Sequence, residues 1–304
     1  MPSSDNDTTR AHGSRQTRVK DDYLGRVLAG EEYLLFDGAM GTMLQRRSLS
    51  AGELPDLLCL SKPEAVADIH RAYVEAGSQA ITTNTFGSNR EKLGGAASVD
   101  EVFKAAVACA REAGARYVAA DIGPTGELLD PLGDCTFEEA YALFAEEVRA
   151  AASAGADLVI IETMADLQEM EAAVRAAQDN CDLPVFATMT FSMGGRTFLG
   201  VAPEEAAQTL EDLDVDALGV NCSLGPIELV PIVDALLAAT SKPVIVQANA
   251  GLPTVNDGET SYAIDAATYA ASVAPMIEAG ARVIGGCCGT DPDYIRELAK
   301  LLQQ

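Results

Sequence analysis

The chain has 304 residues, 48% of them hydrophobic, with 8 Tyr, 8 Phe and no Trp. Its 46 acidic residues against 21 basic ones give a formal net charge of −25, a field that repels nucleic acid and anionic membranes and keeps a surface strongly solvated, while suiting a partner with a basic docking face. No run of about 18 apolar residues is present, so no spanning helix is expected, and seven cysteines without a disulfide-like spacing point to a reducing cytoplasm.

Residues 1 to 20 are rich in Ser, Asp, Thr and Arg, with no apolar period and no signal-peptide core, and are expected to form a disordered tail. Asp21 to Ala29 reads as a short helix. A strand–helix rhythm then begins. Tyr33 to Phe36 is a strand ending in Asp37-Gly-Ala-Met-Gly-Thr42, and Pro63 to Ala76 is a helix with Ser61 as its candidate cap. Gln79 to Thr83 is a strand ending in Asn84, and Val99 to Ala113 is a helix. Tyr117 to Ala120 ends in Asp121-Ile-Gly-Pro124. Thr136 caps an Ala-rich helix to Ala154, with Glu138 and Glu139 in the first turn, where the helix dipole favours them.

Asp157 to Ile161 ends in Glu162-Thr163, and Asp166 to Asn180 is a helix. Pro184 to Thr188 is a strand, Pro203 to Leu213 a helix. Ala217 to Val220 ends in Asn221-Cys222, with a helix from Pro226 to Ala239. Pro243 to Gln247 ends in Ala248-Asn-Ala-Gly251, with a helix from Asp265 to Ala279. Ala281 to Ile284 leads into Gly285-Gly-Cys-Cys-Gly289, and Pro292 to Leu302 closes the chain. Eight apolar strands, each followed by a helical pattern, predict an α/β fold of the (β/α)8 TIM-barrel type as one domain over residues 21–304. An open doubly wound sheet would call for a Gly-x-Gly-x-x-Gly turn after the first strand, and there is none.

In such a barrel the chemistry sits at the carboxyl ends of the strands. Loops after strands are polar in any case, so a single Asn or Asp there says little. Three cysteines say more. Neighbouring side chains on a strand face opposite ways, so Cys287 and Cys288 can face one site only if the strand breaks, and Gly285, Gly286 and Gly289 supply the freedom to do so. Cys222 ends a strand of the same shape. Buried cysteines often serve as small hydrophobes, and a vicinal disulfide is another option, but Cys222, Cys287 and Cys288 together form a soft metal site suited to Zn²⁺ with one position open. No fourth Cys or His stands at a strand end; His12 lies in the tail, His70 in a helix. Cys59, Cys109, Cys135 and Cys181 fall in helices or loops and read as packing. A Zn(Cys)3 unit is already net −1, which makes it a poor generator of hydroxide. It is well suited to hold a fourth thiol as thiolate, because coordination deprotonates a thiol outright.

Asp37-Gly-Ala-Met-Gly-Thr-Met-Leu-Gln45, Thr83-Asn-Thr-Phe-Gly87, Asp121-Ile-Gly-Pro-Thr125, Ile161-Glu-Thr163, Gly219-Val-Asn-Cys-Ser223, Asn249-Ala-Gly251 and Gly285-Gly-Cys-Cys-Gly-Thr290 together resemble the homocysteine S-methyltransferase family over roughly residues 24 to 302. The first motif and the Asn-Ala-Gly stretch are most similar to the homocysteine-binding module of its cobalamin-dependent methionine synthase branch. The resemblance implies a zinc-containing barrel with Cys222, Cys287 and Cys288 as ligands. It implies that Asp37 and Glu162 hold the amino-acid part of homocysteine and that backbone amides around Ala39, Met40 and Gly41 receive its carboxylate. It also implies that Asn249 stands near the metal and fills the open position when substrate is absent. Carboxylates for an ammonium and N–H donors for a carboxylate agree with elementary charge pairing.

The chain carries no second barrel for a folate and no Asp-x-His-x-x-Gly stretch of a cobalamin-binding module. The methyl donor, methylcobalamin or another corrinoid, is therefore expected on a separate corrinoid protein. Within the same family, S-methylmethionine or a betaine could donate instead, or another thiol could accept as part of a demethylation pathway. Two readings from other classes compete. A non-catalytic zinc or docking module does not account for the carboxylates and glycine loops. A Schiff-base aldolase needs a lysine at a strand end, and Lys20, Lys62, Lys92, Lys104, Lys242 and Lys300 all lie elsewhere.

Overall fold

The computed structural model describes residues 17–47, 49, 52–256 and 259–303. Its strands are β1 (Leu34–Leu35), β2 (Ala80–Thr82), β3 (Tyr117–Ile122), β4 (Leu158–Met164), β5 (Val185–Met189), β6 (Ala217–Asn221), β7 (Val244–Ala248), the short hairpin β8 (Thr254–Asn256) and β9 (Glu259–Ser261), and β10 (Val283–Gly286). All but the hairpin join one eight-stranded sheet in the order β1-β10-β7-β6-β5-β4-β3-β2, with every paired neighbour parallel. The two end strands meet at a seam. The Gln79 N–H donates to the Leu35 carbonyl at 2.8 Å, and the Gln79 side-chain oxygen accepts from the Leu35 N–H at 3.0 Å. Helices alternate with the strands, which makes the architecture a (β/α)8 barrel.

Alternation along the strands divides the core in two. Leu34, Phe36, Tyr117, Leu158, Ile160, Phe186, Ile245 and Val283 fill the barrel interior, closed at one end by Leu24 and Val27 of the helix Asp22–Leu28. Their neighbours, such as Val159 and Ile161, face the surrounding helices. The Ala-rich helices suit this outer layer, since small side chains let helices lie close to the sheet. Local signals agree with it. Thr136 and Glu139 form a reciprocal capping box at the start of Phe137–Ala154, and Gly155 ends that helix in the left-handed conformation.

Ser61 does not cap the helix Pro63–Ala76. The cap position is Lys62, whose side chain makes no capping bond, and Pro63 starts the helix. The Ser61 hydroxyl donates instead to the Leu57 carbonyl at 3.1 Å, within a one-turn helix Leu58–Ser61 that has no sequence-level signal of its own. The short helices Met40–Arg47 and Arg90–Leu93, the 3-10 turn Pro55–Leu57 and the hairpin β8–β9 likewise lie in loops after strands. Residues 1–16 of the expected tail lie outside the described residues. Arg18 donates its N–H to the Asp182 carbonyl at 2.6 Å, and Lys20 bonds the Arg116 carbonyl at 2.6 Å and the Asp157 carboxylate at 3.0 Å. Among the described residues no helix is long and apolar enough to cross a membrane.

Candidate functional site

β6 and β10 each end in cysteine, and the backbone past each end is bent. Cys222 and Ser223 hold φ of 60° and 57°, the left-handed region in which L-residues are strained, and the Leu224 N–H turns back to the Cys222 carbonyl at 2.7 Å. β10 stops at Gly286. Past it, the Cys287 N–H donates to the Ala248 carbonyl at 2.8 Å, and the Cys288 carbonyl accepts from the Ala250 N–H at 2.9 Å. Of the three glycines here only Gly289 has a positive φ, +85°. Gly286 is required for close approach, since a Cβ there would stand 2.4 Å from Thr290 Oγ1. That threonine is the local staple. Its hydroxyl donates to the Cys287 carbonyl at 2.7 Å and accepts the Ala39 N–H at 3.2 Å.

The outcome is that the sulfurs of Cys222, Cys287 and Cys288 all lie within 4.8 Å of one another, with Cys222 and Cys288 3.8 Å apart. A tetrahedral zinc with bonds of about 2.3 Å puts two sulfurs about 3.8 Å apart, so the donor set fits in chemistry and in spacing. The three thiols also share protons. Hydrogen bonds from Cys222 and then Cys287 pull Cys288 down to about 3, whereas Cys287 is pushed up by its bonds to Cys222 and Cys288 and by burial. A thiol this ready to ionise beside two others is the kind of donor set a soft cation completes. The other four cysteines do not join this cluster.

The sulfurs line one wall of a pocket of about 440 Å³. Acids line the same pocket. Asp37, 2% exposed, accepts from the Thr82 N–H at 3.0 Å and the Thr82 hydroxyl at 2.9 Å. It thereby continues the β1–β2 seam beyond the strands, and burial lifts its carboxyl to about 7 against those bonds. Burial, then the Asp37 and Cys288 charges, lift Glu162 to about 8. Asp121 is raised as well, by burial and then by the Glu162 charge, and its Oδ1 has no hydrogen-bond partner among the described residues. Three carboxyls with raised pKa and, among the described residues, no cation beside them make a receptor for a positive group. Between acids and sulfurs, the first turn of Met40–Arg47 faces the pocket at Met40, Gly41 and Thr42. Its amides lack helical acceptors, as at any helix start, and favour an anion.

A scan against known protein families matches the homocysteine S-methyltransferase family over residues 34–302. The chain belongs to that family. Among its relatives, a methionine synthase of Mycobacterium tuberculosis is 35% identical over 297 residues, covering 90% of this chain and 24% of the relative. A methionine synthase of Mycobacterium leprae is 33% identical with the same coverage. The chain therefore spans about a quarter of the length of these relatives. In fold it is similar to the homocysteine methyltransferase MmuM from Escherichia coli in its oxidized form, with a TM-score of 0.77 at 24% identity, over 92% of this chain and 99% of that one.

As a member of this family, the protein gathers eight of the residues singled out from its sequence around one pocket: Cys222, Cys287, Cys288, Asp37, Ala39, Met40, Gly41 and Glu162. Two details differ from the sequence reading. The Ala39 amide is taken by Thr290, which leaves the following amides for a ligand. Asn249 is buried behind the pocket rather than lining it, between Ala248 and Ala250, which bond Cys287 and Cys288, and its Oδ1 has no partner among the described residues. Sequence reasoning assigned no role to Asp121 or Gln247, both of which line the pocket with a buried oxygen that has no partner among the described residues. Asp121 carried a signal, an acid ending an apolar strand; Gln247, inside a predicted strand, carried none.

Proposed function

We propose that the protein methylates homocysteine to methionine, using zinc held by Cys222, Cys287 and Cys288 and a methyl group brought by a corrinoid on a separate protein. The observation that carries this reading is the sharing of one pocket by a close-set cysteine trio, buried carboxyls and a helix start. Bound zinc supplies a fourth position where a thiol is held as thiolate at neutral pH.

The chain's own residues account for the rest of the substrate. Asp37 and Glu162 face the ammonium, and the amides of Met40 and Gly41 receive the carboxylate. Both ends are then fixed, which leaves the sulfur directed at Cys222 and Cys288. Ammonium binding also resolves the acid cluster, because a cation beside Glu162 lowers the pKa that burial has raised. Asn249, packed behind the pocket with its Oδ1 unpartnered among the described residues, would reach the open position in the absence of substrate only by turning into the pocket. Methyl transfer would form the S–CH3 bond of methionine from the sulfur's electron pair as the donor's bond to that methyl carbon breaks, with the donor keeping the pair of that bond. Support for a corrinoid donor comes from the Asp37–Gln45 and Asn249–Gly251 motifs.

Two measurements test this. Homocysteine binding to the zinc-loaded protein should release at least one proton at pH 7, the thiol's own, since its ordinary pKa is about 8.5, with a further share from Glu162 as the ammonium lowers its pKa; calorimetry in buffers of different ionisation enthalpy reads the total, and Glu162→Gln removes the second share. No proton release would argue against sulfur–zinc coordination. Stopped-flow mixing with homocysteine should bleach the methyl–cobalt absorbance of a methyl-corrinoid protein, more slowly as salt rises if that partner presents a basic rim. An inert corrinoid together with rapid consumption of S-methylmethionine would make the donor a sulfonium.

A further inference from the structure

The cysteine-bearing end of β6 and the acid-bearing end of β4 are joined by one side chain that lies outside the pocket. Asn221 is fully buried and lies outside the pocket lining. Its Oδ1 accepts from the Thr163 N–H at 2.8 Å and from the Thr188 hydroxyl at 2.8 Å. Its Nδ2 donates to the Thr163 hydroxyl at 2.7 Å. On one side of this clamp, Asn221 is followed directly by Cys222. On the other, Thr163 follows directly on Glu162.

Thr163 needs such a clamp. It holds φ of 64°, a rare conformation for a β-branched residue, inside β4, where the pairing with β5 shifts register between Ile161 and Met164. That irregularity places Glu162 on the pocket wall together with Thr163; in a regular strand the two would face opposite sides. A separate tie, the 2.6 Å bond between the hydroxyls of Thr190 and Ser223, joins the residues just past β5 and β6.

We propose that Asn221 is a positioning residue that sets the distance between the thiol-binding sulfurs and the ammonium-binding carboxylate, and so selects the length of the amino-acid thiol. The inference rests on the proposed homocysteine reading. Homocysteine and cysteine present the same ammonium and the same thiol one methylene apart, so a strut between the two subsites is what tells them apart. Cys222 has its own backbone anchor on the Gln247 carbonyl at 3.0 Å, which lets the metal site survive when the strut is cut.

The test compares zinc-loaded wild type with Asn221→Ala, Thr163→Val and Thr163→Ser, measuring zinc content, calorimetric affinity and methylation for homocysteine and for cysteine. Asn221→Ala and Thr163→Val should keep their zinc. They should lose most of the preference for homocysteine, a fall of about 100-fold, the scale expected when reacting groups are misplaced by about 1 Å. Thr163→Ser keeps the hydroxyl and should restore the preference, which a general loss of packing would not. Should Asn221→Ala fail to fold, the Thr163 pair carries the test alone. An unchanged ratio in the cut variants, loss of zinc in Asn221→Ala, or a Thr163→Ser that behaves like Thr163→Val would each overturn the proposal. Wild type that neither binds nor methylates homocysteine would instead sink the homocysteine reading itself.

Discussion

Replacing Cys222, Cys287 or Cys288 by alanine is expected to strip zinc from the protein and to lower activity by more than about 100-fold, since outer-shell changes alone cost metal sites 10–100-fold. The barrel should survive each change. The three side chains sit past the strand ends, where Cys222 and Cys287 are held through backbone bonds to Gln247 and Ala248 that alanine also makes. Circular dichroism should therefore match wild type while metal analysis falls well below one zinc per chain. Cysteines outside the cluster supply the control. Cys135, half-buried in a loop, should tolerate serine with full metal content. Full zinc in all three alanine variants would remove the metal site from the account altogether.

Glu162→Gln is expected to make the substrate-free protein more stable at pH 8 while weakening it as an enzyme. Burial, with the Asp37 and Cys288 charges, raises Glu162 from 4.5 to about 8. The folded state therefore holds a proton that the unfolded chain has given up across that interval. Its contribution is fully present below about pH 4.5 and is lost as pH rises through about 8. A shift of this size corresponds to a few kcal/mol at most, with part of it shared with Asp37. Glutamine cannot ionise, so wild type and variant should differ little in melting temperature at pH 5.5 and clearly at pH 8, with glutamine ahead. Equal pH dependence of the two melting curves would show that Glu162 is not held protonated. The cost falls on substrate. A lost charge-assisted bond to the ammonium is worth about 10–100-fold, seen mainly in KM for homocysteine with kcat less affected, because that contact is the same before and during methyl transfer.

Much of this molecule was legible in the chain. The strand–helix alternation is written in local apolar runs and in caps such as Thr136 with Glu139 and Asp265 with Thr268, because a buried parallel strand has to be apolar throughout. The cysteines and acids at strand ends could be read for the same reason: in a barrel every such end opens on one face. The short helix Met40–Arg47 could not, since eight residues with one glycine just upstream and one inside give no clear period. Tertiary structure alone decided how the strand ends are bent and tied. Gly286 reads as a flexible residue, yet its role is to let Thr290 approach. Asp37 reads as a ligand for substrate, yet it also closes the barrel seam through Thr82. Asn221 reads as one polar residue among many, yet its carboxamide holds a strained turn on β4, two strands away in the sheet. Apolar periodicity is a property of neighbours in sequence; these bonds join residues 45 and 58 positions apart, and only the closed sheet brings them within reach.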